Sequence, residues 1–134
     1  MIAARFSRNR IVGIVAGAAY IAVGALGFLV TADVPFTSTE GGILFTLLEV
    51  NPLQNVMHIL LGLVLLAAGI AGHRFAVATN TIVGVVTFAL GFYGLFAIDA
   101  ATNYLALNTW GNALHFGSAA VLVAVGLGAD RAEE

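Results

Sequence analysis

Hydrophobic residues make up 60% of the 134-residue chain and charged residues only 9%, with a mean hydropathy of +1.02. A soluble domain carries about a quarter charged residues, so this chain cannot wet its own surface and needs lipid. The absence of cysteine excludes disulfides, thiolate metal sites and thiol catalysis. Five arginines without a lysine, at a net charge of −2, cannot form a phosphate-tracking stripe, which excludes a nucleic-acid partner.

Charged residues divide the chain into four uncharged stretches, Ile11 to Ala32, Val50 to Gly72, Phe75 to Ile98 and Ala100 to Ala129. Each exceeds the roughly 20 apolar residues that cross a hydrocarbon core about 30 Å thick. The spans are predicted at 11–31, 52–72, 76–97 and 109–128. They are read as helices because no alternating ten-residue apolar/polar pattern of a barrel strand is present, and because backbone in lipid must satisfy its own hydrogen bonds. The fold class is therefore an all-α membrane protein, a four-transmembrane-helix bundle occupying 1–134 as a single domain.

Arg5, Arg8 and Arg10 precede the first span, which places Gly13, Gly17, Tyr20, Gly24, Gly27 and Thr31 at steps of 4, 3, 4, 3 and 4. That is the heptad spacing of one helix face packed in a left-handed bundle. A cleaved signal peptide over residues 1–32 is the competing reading. An apolar run from Ile11 to Ala32 is long for its hydrophobic region. The loop that follows holds Asp33, Glu40 and Glu49, a capping-box pattern at Thr37 to Glu40, and an apolar stretch from Gly41 to Val50 too short to span. It is read as a helix lying on the membrane surface or as a cap over the bundle mouth.

The second span opens with Asn51 before Pro52, the residues of a helix N-cap and first turn, and its face runs Asn51, Asn55, His58, Gly62, Leu65, Gly69. His73 and Arg74 form a tight turn. The third span repeats the first with Asn80, Gly84, Thr87, Gly91, Gly94 and Ile98, at an offset of 67. After Asp99 and a shorter loop, the fourth repeats the second with Asn108, Asn112, His115, Ala119, Leu122 and Gly126, at an offset of 57. The pattern N-x3-N-x2-H stands in both even-numbered spans. Two tandem parallel helical-hairpin repeats, 10–72 and 75–129, follow, related by a pseudo-twofold axis along the membrane normal.

All five arginines, including Arg131, fall on one side of this layout, and no Arg or Lys falls on the other. The positive-inside rule then puts both termini in the cytoplasm of a multi-pass cell (inner) membrane protein. In an up-down-up-down bundle of this symmetry His58 and His115 face each other across the axis. Each lies about 10 Å inside its helix start, at 1.5 Å per residue.

Asn51 and Asn108 are assigned to capping, and Gly17, Gly24, Gly27, Gly84, Gly91 and Gly94 to helix packing, since small residues let backbones approach where no hydrophobic force acts between helices. An alternative use of Gly24, Gly27, Gly91 and Gly94 is to clear room for a ligand opposite the histidines. Asn55, His58, Asn112 and His115 are the candidate ligand-binding or structural polar core, because polar side chains at that depth need partners. As a structural knot, each imidazole would bond Asn55, Asn112, Tyr20, Thr87 or a backbone carbonyl. As a ligand site, the pair would hold haem or a small molecule. A metal ion alone is the weakest reading, because two imidazoles and two amides complete no shell.

The motif N-x3-N-x2-H followed by Ile59 to Leu63, and the second Asn112/His115 pair, resemble the actinobacterial four-helix membrane proteins described as domain of unknown function 4383. Residues 10–28 share the likeness. The resemblance implies the fold and a bacterial inner-membrane setting, carries over Asn51, Asn55, His58, Asn112 and His115, and implies no activity; Asn80 has no counterpart role in it. No catalytic residue set stands out. The leading reading is a non-enzymatic membrane protein without a cofactor, with the bilayer as its partner, acting as an accessory or scaffold subunit in a larger complex or homo-oligomer. The alternatives are haem or small-molecule binding between the histidines, or a small carrier.

Because the chain lacks cysteine, Thr37→Cys and Ala132→Cys are clean topology reporters. An impermeant thiol reagent should label position 37 in intact cells and position 132 only after lysis. Labelling of position 132 from outside would reverse the orientation.

Overall fold

The computed structural model describes residues 6–128. Arg5 and Arg131, and residue 129 at the end of the second repeat, lie outside the described residues. Four helices dominate: α1 (Arg8–Gly27, extended by a 3-10 turn Phe28–Val30), α2 (Pro52–Ala71), α3 (His73–Ala97) and α4 (Thr109–Gly128). All four are long and apolar enough to cross a membrane. Their outward faces are apolar, with Val15, Leu29, Phe75, Ile82 and Phe96 more than half exposed. Such a surface suits lipid, and the chain reads as a multi-pass membrane protein.

The ends of the helices follow from local chemistry. Ser7 accepts from the Arg10 amide at 3.4 Å, so α1 starts three residues before the uncharged stretch. Asn51 Oδ1 accepts from the Gln54 amide at 2.8 Å with Pro52 in the first turn, and Asn108 Oδ1 accepts from Gly111 at 2.9 Å. At the other end of α2 the Arg10 guanidinium donates to the carbonyls of Gly69 and Ile70 at 2.9 and 3.0 Å, placing positive charge where the helix dipole is negative. Gly72 alone separates α2 from α3 with φ 151°, a conformation that a side chain would strain, so α3 begins at His73 and takes in the turn expected there.

Residues on the four predicted faces turn inward: the positions at heptad spacing are buried, except Tyr20, His58, Ile98 and Asn108, which are half-buried. α1 packs most extensively on α2 and α3 on α4, α1 also meets α3, and α1 and α4 touch little. The hairpins close at glycine. A Cβ on Gly17 would lie 2.6 Å from the Leu66 nitrogen and 2.7 Å from the Gly62 carbonyl, so the two backbones are in direct contact there. Gly24 stands as close to the Asn55 carbonyl, Gly84 against Val123, and Gly91 against the ring of Phe116. Leu65, Val83 and Leu122 fill the centre, with Val12, Ala16, Tyr20 and Leu61 packed around them.

The segment expected as a surface helix is instead a β-hairpin, β1 (Gly42–Leu44) paired antiparallel with β2 (Leu48–Val50). Phe45 and Thr46 at its tip both have positive φ, the turn geometry that matches the right-handed twist of two strands. Ser38 accepts from the Glu40 amide in a local turn, and Glu49 holds the Gly41 amide, so the capping-box pattern starts no helix. The hairpin caps one end of the bundle. Asn51 Nδ2 donates to Ser38 and Tyr104 carbonyls at 2.9 and 2.8 Å, and Asn108 Nδ2 to Leu47 at 2.8 Å, so both caps also tie the two loops together.

At the opposite end, Asn80 Nδ2 donates to the Asn9 carbonyl and Oδ1, both at 3.0 Å, and Asn9 donates to the Val125 carbonyl at 2.9 Å. This buried knot joins α1, α3 and α4.

Gly17→Ala and Gly24→Ala should each destabilise the bundle by about 1–3 kcal/mol, because the new methyl meets backbone. Gly117, with nothing within 4 Å of an added Cβ, should accept alanine without loss. Thermal unfolding in mild detergent checks this; equal stability of all three variants would contradict the close contact.

Candidate functional site

The asparagines and the histidines of the repeated motif go to different places. The Asn55 amide seats on Gly27, where a Cβ would collide with its oxygen, and its Nδ2 donates to Thr31 Oγ1 at 3.1 Å, which in turn donates to the Gly27 carbonyl at 3.0 Å. Asn112 seats on Gly94 in the same manner. Both amides therefore lie within a helical hairpin, against the adjacent helix. Gly27 and Gly94 are covered by these amides, Gly24 by the Asn55 backbone and Ile59, and Gly91 by the Phe116 ring, and none of the four borders the cavity beside the histidines.

His58 and His115 meet across the bundle, with ring centroids 6.1 Å apart and planes inclined at 50°. Tyr20 stands edge-on to His58 at 5.5 Å. None of the expected partners bonds an imidazole. Asn55 is bonded to Thr31, and Thr87 donates back to the carbonyls of Val83 and Gly84. The Tyr20 hydroxyl shares a 2.8 Å hydrogen bond with Ser118 Oγ. Since Ser118 donates its own proton to the His115 carbonyl at 3.2 Å, Tyr20 is the donor to Ser118. The Nδ1 atoms of both histidines are buried without a hydrogen-bond partner, and no backbone carbonyl takes that role. The physical reason is geometric: one turn separates Asn from His on each helix, and the glycine beside each Asn draws the amide into the hairpin.

The rings border a cavity of about 270 Å³ between α1, α2 and α4. Ala19 and Val23 form one wall, Gly111, Leu114 and Gly117 the other, and Leu48 to Val50 of β2 the roof. The Tyr20–Ser118 bond closes the floor. Gln54, His58 and His115 stand at the back. Ala19, Leu114 and Gly117 are exposed on the outer face of the bundle, so the cavity opens sideways where α1 and α4 part. Glu49 is its one acidic side chain, with Oε1 already accepting from the Gly41 amide at 2.8 Å. Among the described residues, no three His, Asp or Glu side chains gather closely enough to hold a metal ion.

Two site residues escaped the sequence pattern. Gln54, 4% exposed, lies one turn before His58 and so on its face, and Ser118 lies one turn after His115. Helical spacing from the histidines is the signal that finds them. Asn9 was hidden among the flanking arginines.

A family model described as a domain of unknown function, DUF4383, matches residues 10–128. The chain belongs to that family. No curated protein and no solved structure matches it. The matched region takes in the four helices apart from Arg8 and Asn9, and includes every residue bordering the cavity.

Because neither Nδ1 has a partner to lose, His58→Leu and His115→Leu should fold and match or exceed the parent in thermal stability in detergent, the gain being up to about 1–3 kcal/mol for each unsatisfied polar group removed. By contrast, Thr31→Val should destabilise, since it strands the buried Asn55 amide. Unfolding of either leucine variant would mean that the imidazoles hold the bundle together.

Proposed function

We propose that this is a non-enzymatic protein of the cell (inner) membrane, its termini cytoplasmic, that binds a small molecule at His58 and His115. The observation that carries this reading is the pair of imidazoles, their Nδ1 atoms buried and unpaired, that border a cavity. Buried polar groups are nearly always satisfied within a fold, and intramembrane ionisable residues concentrate at sites of function. The asparagine–glycine seats and the small-residue seams already hold the hairpins, so packing does not require the histidines.

Catalysis has little support. Ser118 is tied to Tyr20 and to a backbone carbonyl, and the one acidic side chain at the cavity, Glu49, is held by the Gly41 amide and bonds neither His58 nor His115, so no acid–base or nucleophile pair is formed there. The two hairpins are read as tandem repeats. The like seating of Asn55 on Gly27 and of Asn112 on Gly94, and the like caps at Asn51 and Asn108, support that reading.

Haem held by both histidines is the second reading, favoured by one distance. Imidazole nitrogens bind metals at about 2.0–2.1 Å, which sets two rings across one ion on the order of 6 Å apart between centroids. The 6.1 Å separation agrees. Against it, Tyr20 packs on the His58 ring, and a porphyrin needs an open slot between its ligands.

Purification in mild detergent separates these. We expect colourless protein without iron, from which solvent extraction and mass spectrometry recover a stoichiometric small molecule that His58→Leu/His115→Leu protein lacks. A Soret band lost in either single variant would establish haem instead. Colourless protein with no molecule retained at any stoichiometry, and none bound on addition, would leave the scaffold or accessory role as the function.

A further inference from the structure

The cavity's polar atoms and its sideways opening carry a more specific conclusion, which rests on the reading of His58 and His115 as a ligand-binding point. Both imidazoles line the cavity while their Nδ1 atoms are sealed from it. Nε2 is then the atom each ring offers to a ligand. A neutral imidazole carries one proton, on either nitrogen. Placing it on Nδ1 would bury an unpaired donor, and orphaned donors are the rarer and costlier case. The proton therefore belongs on Nε2, facing the cavity. Gln54 behaves alike: its Oε1 is buried without a partner, so its amide nitrogen, with two hydrogens, is the end left for the cavity. Three side chains from two helices, α2 and α4, thus offer donors to the same cavity, and the Tyr20 and Ser118 hydroxyls that also border it are spent on each other and on a carbonyl.

Donors left unpaired in one cavity call for an acceptor. No Arg or Lys borders the cavity, and the Glu49 carboxylate stands at its roof, so an anionic head would meet repulsion and no counter-charge. The remaining walls are apolar, and the mouth between Ala19 and Gly117 lies on the exposed flank of two helices apolar enough to cross a membrane, the side that lipid would cover. We propose that the cavity binds an uncharged, carbonyl-headed lipophile drawn laterally from the bilayer, its carbonyl oxygen accepting from His58 Nε2, His115 Nε2 and the Gln54 amide. Two sources share that chemistry: the ring carbonyl of a membrane quinone and the ester carbonyl of an acylglycerol.

Gly117 supplies a plug that leaves the fold alone. It lies at the mouth, and an added Cβ there meets nothing within 4 Å. Thermal unfolding of the full chain in detergent would be followed during titration with a decyl-substituted benzoquinone, a monoacylglycerol, decanol, decanoate and decane, since a ligand that binds only the folded state raises its stability saturably. A saturable rise with the quinone, the monoacylglycerol or both is expected, and whichever binds tenfold or more tightly identifies the source. Decanoate and decane should give none. Gly117→Phe should abolish the rise without lowering the unliganded transition, and Gln54→Leu and His115→Leu should each weaken binding at least tenfold. Saturable stabilisation by decanol or decanoate alone, blocked by Gly117→Phe, would overturn the carbonyl head while keeping the site. Equal stabilisation by decane, or a quinone or monoacylglycerol response that survives Gly117→Phe, would overturn the cavity as the place of binding. No saturable response to any probe overturns the proposal; the extraction experiment above then decides separately whether the histidine site holds something else.

Discussion

Helices in lipid gain nothing by hiding apolar surface from one another, so their association depends on how closely their backbones approach. That constraint governs this bundle. At Gly17 and Gly62 two backbones meet with no room for a methyl group, and at Gly27 and Gly94 the missing side chain is replaced by the carboxamide of Asn55 or Asn112 from the adjacent helix. The α1–α2 hairpin is thus a backbone-to-backbone pair, the glycines of the α3–α4 hairpin are met mainly by side chains, and each hairpin seals one asparagine amide inside it. Asn9 and Asn80 then join the hairpins at one end, and the loop carbonyls held by Asn51 and Asn108 join them at the other.

The placement of the cavity follows. The closest packing runs within the hairpins, α3 also meets both α1 and α2, and α1 and α4 part, so that the gap between them reaches the level of the histidines. The seams leave the imidazoles structurally unemployed. Two rings with unpaired buried nitrogens are a net cost to the folded state, on the order of 1–3 kcal/mol for each stranded group. The Oδ1 atoms of Asn55 and Asn112 are also unpaired, but those amides fill the hairpin seams at Gly27 and Gly94, whereas the imidazoles border the cavity, and the proposed ligand-binding role offsets their cost.

Much of this was legible in the sequence. The four spans and their faces followed from the charge-free stretches and the 4, 3, 4, 3, 4 spacing, because a helix in a bundle turns one stripe inward whatever the loops do. The meeting of His58 with His115 followed from their equal depth on corresponding spans. The hydrogen-bond partners did not follow. Whether Asn55 reaches across the bundle or into its own hairpin depends on a rotamer and on the glycine beside it, and neither is encoded in spacing along one helix. The β-hairpin at Gly42 to Val50 was also hidden, since a short apolar run fits a strand pair and a surface helix equally until the tip residues adopt positive φ. Asn9 and Gln54 were overlooked for another reason: one stands among arginines and the other between two asparagines, where flank and cap readings already explained the composition.

If His58 and His115 serve the cavity and not the packing, the tautomer of their rings must reflect it. Nitrogen NMR of protein labelled isotopically at histidine, with His58→Leu and His115→Leu variants to assign the signals, distinguishes a protonated ring nitrogen from a bare one. Both rings should carry their proton on Nε2, Nδ1 should give the signal of a bare nitrogen accepting no hydrogen bond, and only the Nε2 signals should move when the cavity is filled. Protonated, hydrogen-bonded Nδ1 in both rings, unchanged by any occupant of the cavity, would contradict it.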